Sequence, residues 1–74
     1  MSVDIELFGQ LLPGQPRRRT LEIAAPTKVG ELAASLGLDP DEIGLVMIDG
    51  VQSRLEDSVG VDSRLCFFPY VTGG

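Results

Sequence analysis

Near residue 27 the spacing of apolar residues changes from every second position to every third or fourth. Few folds accommodate that change within 74 residues. Before it, Val3, Ile5 and Leu7 alternate with Asp4 and Glu6, as in a strand buried on one side. Phe8 interrupts the alternation by placing an aromatic ring on the polar side. Leu21 and Ile23 repeat the pattern against Thr20 and Glu22, and Pro13-Gly14 lies between as turn punctuation. The two stretches predict an antiparallel hairpin. After it, Val29, Leu32, Ala33 and Leu36 form a single apolar stripe at helical spacing.

The helix is expected to be short and to need a sheet for support. Thr27 or Lys28 stands at its N-cap place, although a lysine cannot accept amide hydrogen bonds there. Gly37 followed by Leu38 fits a glycine C-cap with its apolar contact. Asp39-Pro40, with Glu42 two residues further on, suits one additional helical turn. The apolar run Gly44–Ile48 has strand length, and Asp49-Gly50 marks a tight turn. Residues 51–55 suit a short strand, and residues 56–60 a helical turn or loop. Residues 64–70 form the last strand, with Pro69 near a sheet margin. These elements predict one α+β domain, a four- to five-stranded sheet with one main helix packed across one face. The patterns do not order the strands.

Composition narrows the chemistry. The chain has no histidine, one cysteine (Cys66) and one lysine (Lys28). A catalytic triad, a Schiff base or a metal site has almost nothing to be built from. The eleven carboxylates are scattered over turns and polar strand faces. An enzyme with its own active site is therefore not expected, nor a bound cofactor or metal. A net charge of −5 argues against nucleic acid. The short basic run Arg17-Arg18-Arg19 suits a solvated strand start, or a contact for an acidic groove on a partner. With no membrane-length apolar run and no leader pattern, a soluble cytoplasmic protein is expected. Cys66 reads as a small, partly buried hydrophobe rather than a sulfur relay.

Alternation in the last strand sets Leu65 and Phe67 on one side, Cys66 and Phe68 on the other. If the helix covers the first side, Phe68 and Phe8 point outward. On neighbouring strands they would form an apolar partner site. Gly73 and Gly74 then end the sequence. Without Cβ atoms such an end threads a narrow channel, and residues 71–74 extended reach about 13 Å. The group so delivered is the Gly74 carboxylate, a poor electrophile until activated. A partner enzyme using ATP would convert it to an acyl adenylate. Sulfur attack on that adenylate gives a thiocarboxylate, and amine attack gives an amide.

The ending FFPYVTGG resembles the FFPPV-small-GG ending of the small, sulfur-carrying subunit of molybdopterin synthase. IELFGQLL, PTKVGELAASL and LVMIDG are similar to that family's opening strand, helix and central strand, in the same order. The thiamine sulfur carriers share the Gly-Gly end but usually lack the Phe-Phe-Pro element. Together these are the ubiquitin-like sulfur carriers. The resemblance implies a ubiquitin-like β-grasp domain over residues 1–70, with first and last strands parallel neighbours, and a flexible tail over 71–74. It also implies that Gly74 is adenylated and then thiocarboxylated, with Gly73, Thr72 and Val71 threading the tail. Phe8, Phe68, Pro69 and Tyr70 would contact the partner.

The implied partners are an ATP-dependent, E1-like adenylating enzyme, a sulfur-donating enzyme and the large subunit of molybdopterin synthase. The alternatives are a thiamine-pathway carrier, a ubiquitin-like modifier joined to other proteins through Gly74, and a plain β-grasp interaction domain whose Gly-Gly end is incidental. Three positions depart from the family pattern. Tyr70 replaces a second proline, Val61-Asp62-Ser63 replaces an Asp-Gly-Asp turn, and Lys28 replaces a capping threonine. Asp62 can still adopt the left-handed backbone that the turn requires.

Overall fold

The computed structural model describes residues 2–9, 11–12 and 14–70. The roles expected for Val71, Thr72, Gly73 and Gly74, and the turn residue Pro13, lie outside the described residues. The predicted hairpin is present. Strand β1 (Ser2–Leu7) pairs antiparallel with β2 (Arg18–Glu22), and Val3 faces Leu21. A two-residue strand β3 (Thr27–Lys28) leads into helix α1 (Val29–Leu36), and a 3-10 turn (Pro40–Glu42) follows. Strands β4 (Ile43–Ile48), β5 (Val51–Ser53), β6 (Ser58–Val59) and β7 (Arg64–Pro69) complete the order.

The main sheet has five strands in the order β2-β1-β7-β4-β5. β7 is parallel to β1 and antiparallel to β4. This mixed sheet crossed by one helix is the ubiquitin-like β-grasp. β7 is the central strand of the five. Pro69 is tolerated because it is the last residue of the strand, where the ladder ends.

The core lies between the sheet and α1. Val3, Ile5 and Leu65 are buried from the sheet side with Phe67, and Val29, Leu32 and Ala33 from the helix. The helix is held at both ends by backbone. Lys28 makes no side-chain cap. Instead Val29 N donates to Asp57 O (2.9 Å) and Gly30 N to Leu55 O (2.9 Å). The segment expected to be helical or loop thus forms a turn that caps α1, then pairs as β6 with β3. At the other end Leu38 N donates to Ala33 O and Gly37 N to Ala34 O, a Schellman arrangement with Gly37 at φ 88°.

The turns follow their residues. Asp49 (φ 51°) and Gly50 (φ 83°) join β4 to β5 with both central residues left-handed, the type I′ geometry that matches strand twist. Asp62 has φ 58°, so the departure at Val61-Asp62-Ser63 preserves a left-handed turn. Asp39 Oδ1 accepts from Asp41 N (2.9 Å) at the start of the 3-10 turn, as its N-cap place predicts.

Candidate functional site

The sheet face away from α1 carries the site. β7 alternates across the sheet, so buried Phe67 faces the helix and half-buried Phe68 faces outward. Phe8 follows β1, which is parallel to β7, and its N donates to Phe67 O (3.0 Å). The ladder therefore continues one residue past β1 and sets the two rings side by side. They stack with centroids 4.4 Å apart and planes 9° from parallel. An aromatic pair of this kind contributes about 0.5–1.5 kcal/mol beyond its burial.

The patch extends beyond the two aromatic rings. Leu45 is the register partner of Phe68, and Met47 that of Cys66. Their neighbour Val46 is buried, so Leu45 and Met47 lie half-buried on the outer face. Phe8, Phe68, Leu45 and Met47 thus form one apolar surface across β1, β7 and β4, with Cys66 beside it. An uninterrupted apolar run hides which of its residues face outward. The signal for Leu45 and Met47 lay in the pairing register, which the patterns did not supply.

Toward β2 the same face becomes charged, and its charges pair locally. Arg18 Nε lies 3.6 Å from Glu6 Oε2, and Thr20 Oγ1 donates to Asp4 Oδ1 (3.1 Å). Arg19 differs from its neighbours in the basic run. It is opposite Ile5 in the inward row, and its Nη2 donates to Gln15 Oε1 (3.4 Å). Cys66 is opposite Glu6. Its thiol is pushed up from the ordinary range, first by burial and then by the Glu6 charge, with Arg64 opposing. A thiol held protonated is a weak nucleophile. This agrees with Cys66 as a small hydrophobe.

β7 runs almost to the last described residue, Tyr70. Pro69 and Tyr70 stand at its end, half-buried and exposed respectively. A cavity of about 290 Å³ beside them is lined by Leu11, Asp41, Glu42, Pro69 and Tyr70. Of the residues expected to contact a partner, Phe8 and Phe68 are brought together. Pro69 and Tyr70 follow Phe68 at the strand's end. Among the described residues, no group of three His, Cys, Asp or Glu side chains is placed to hold a metal ion. No helix among them is long and apolar enough to cross a membrane.

No protein-family profile and no curated protein matches the sequence. Solved structures do. The crystal structure of SAMP1 from Haloferax volcanii superposes with a TM-score of 0.75 at 25% identity, covering 100% of both chains. A crystal structure of small archaeal modifier protein 1 from the same organism gives 0.72 at 23% identity, over 95% of this chain and 98% of that one. A chain in the complex of subunits 1 and 2 of the molybdopterin-converting factor from Helicobacter pylori gives 0.64 at 18% identity, covering 100% of both. The β-grasp fold implied by the motifs is therefore shared with these structures over 95–100% of this chain.

Proposed function

We propose that this ubiquitin-like β-grasp chain is a carrier protein that docks through its open sheet face and reacts through the carboxylate of Gly74. The observation that supports this most directly is the stacked Phe8–Phe68 pair beside the end of β7. A partner gripping that surface holds the start of residues 71–74 at a defined place. The chain lacks the side chains for activating an acyl group itself, so an ATP-dependent adenylating enzyme supplies the chemistry. A Gly74 carboxylate oxygen attacks the α-phosphorus of ATP, forming the acyl adenylate and expelling pyrophosphate. Hydrosulfide-level sulfur then attacks the carbonyl carbon, expels AMP and leaves a thiocarboxylate. Attack by that sulfur on an electrophilic acceptor carbon expels the leaving group that carbon carries. Hydrolysis of the resulting acyl C–S bond leaves the sulfur on the acceptor as a thiol and restores the carboxylate.

The recipient proposed for that sulfur is molybdopterin biosynthesis, through the large subunit of molybdopterin synthase, with a sulfur-donating enzyme upstream. The Phe67-Phe68-Pro69 element and the fold of the Helicobacter converting-factor subunit support it. A specific observation favours a second reading. Likeness is greater to SAMP1, whose counterpart is named a modifier. In that reading the same adenylate, directly or through a thioester, passes to a lysine amine and forms an amide.

Intact-mass measurement separates these outcomes. The chain is incubated with ATP, the host's adenylating enzyme and sulfide, with and without acceptor proteins. The carrier reading predicts exchange of one oxygen for sulfur at Gly74, absent in a chain lacking Gly74. The modifier reading predicts adducts with acceptor proteins that withstand reductant. An unchanged mass with an enzyme of proven activity contradicts both.

A further inference from the structure

β7 leaves the sheet between two glycines, and both are in closer contact with it than any other residue type allows. On the β1 side, Gly9 turns the chain away with φ +64°. A Cβ there would lie 2.6 Å from Pro69 Cγ and 3.2 Å from Pro69 Cδ. On the β4 side the register shifts between Ile43, opposite Pro69, and Leu45, opposite Phe68. Gly44 is the additional residue of that bulge. A Cβ on Gly44 would lie 2.8 Å from Pro69 O, 2.8 Å from Tyr70 Cα and 2.9 Å from Tyr70 N. These are backbone atoms, so no side-chain rotation relieves the overlap. Gly44 has no left-handed φ, and the requirement for glycine is one of space alone.

We infer that Gly9 and Gly44 are positioning residues, a two-sided seat that sets the direction in which the reactive end leaves the domain. The inference rests on the carrier reading and adds residues that act through Pro69 and Tyr70. Leverage gives the seat its importance. Four residues, if fully extended, span about 13 Å, so a rotation of about 20° at Tyr70 would displace the far end of such a segment by roughly 4–5 Å. A displacement of about 1 Å in a reacting group is enough to slow chemistry a hundred-fold. The docking patch lies on other atoms of the same strands. Disturbing the seat should therefore slow reaction while leaving partner affinity in place.

The test compares Gly44→Ala, Gly9→Ala and Gly14→Ala in ATP–pyrophosphate exchange with the adenylating enzyme, with folding of each checked by thermal unfolding. Gly14 has φ +83° but nothing within 4 Å of an added Cβ, so its variant isolates backbone strain from contact with β7. Gly44→Ala and Gly9→Ala are expected to lower kcat about ten-fold or more with KM changed less than about three-fold, and Gly14→Ala to leave both near wild type. Pro69→Ala removes the ring atoms that rest on Gly9. It is expected to lower kcat alone, and in combination to lessen the stability loss of Gly9→Ala. It also keeps the test open should Gly44→Ala fail to fold. Wild-type kcat in Pro69→Ala or in a folded Gly44→Ala, or an effect confined to KM, would overturn the inference. Absence of exchange by the wild-type chain would instead overturn the carrier reading beneath it.

Discussion

Phe67 and Phe68 are adjacent, chemically identical and assigned to opposite tasks. Phe67 is fully buried beneath α1, whereas Phe68 is half-buried on the open face. Phe67→Ala should cost about 3–5 kcal/mol, a large part of the roughly 5–15 kcal/mol typical of a small domain. Phe68→Ala should cost about 1–2 kcal/mol, from the lost stack and partial burial, and should weaken partner binding instead. Urea unfolding beside a binding titration checks both. That division was legible in the sequence, because alternation from Leu65 assigns the two rings to opposite sides. Cys66 gives a second prediction. Its raised pKa means that alkylation at neutral pH is slower in the folded chain than in urea, and that its pH profile rises above the usual thiol range. The sign for stability follows. The unfolded thiol ionises first, so the contribution of the protonated group is complete at neutral pH and lost as pH rises through the folded value. An alkylation profile matching that of the unfolded chain would contradict this.

Elements with a strong local signal formed as their residues predict, and those made by long-range pairing were the ones obscured. The α1 stripe, the Gly37 cap and the Asp49-Gly50 turn are local chemistry. The β3–β6 ladder is two residues long, and no periodicity identifies so short a pairing. Nor does the sequence reveal that the N–H groups of Val29 and Gly30 find the carbonyls of Asp57 and Leu55, far onward in the chain. The turn that supplies them is held by Asp57, whose Oδ2 accepts from Arg54 N (2.8 Å). Asp57→Ala should therefore destabilise the domain by about 1 kcal/mol. Its effect should include faster amide exchange at Val29 and Gly30, at the far end of α1 from Gly37. Unchanged exchange there would show that α1 needs no support from this turn. At the candidate site the same limit applied. Phe8 and Phe68 were legible as outward aromatics, and their adjacency came from the resemblance rather than from spacing. Leu45 and Met47 were hidden in an apolar run. Gly9 and Gly44 matter through contacts that only the folded sheet creates.

For the whole molecule, the proposed function divides one sheet by face. The helix-covered side holds the fold, the open side presents the apolar surface, and central β7 joins that surface to residues 71–74. Ile43 is buried three positions before buried Val46 because the Gly44 bulge resets the alternation, which leaves Leu45 and Met47 outward. The bulge, which Gly44→Ala retains, sets which residues of β4 face outward, and the missing Cβ of Gly44 separately leaves room for Pro69 and Tyr70. The measurement that tests this division most directly is amide chemical-shift mapping of the labelled chain titrated with its adenylating enzyme. The account predicts that the strongest changes fall on Phe8, Leu45, Met47 and Phe68 and continue through Tyr70, while Glu31, Ala34 and Ser35 on the exposed side of α1 stay unchanged. Changes centred on α1, with the open sheet face silent, would contradict it.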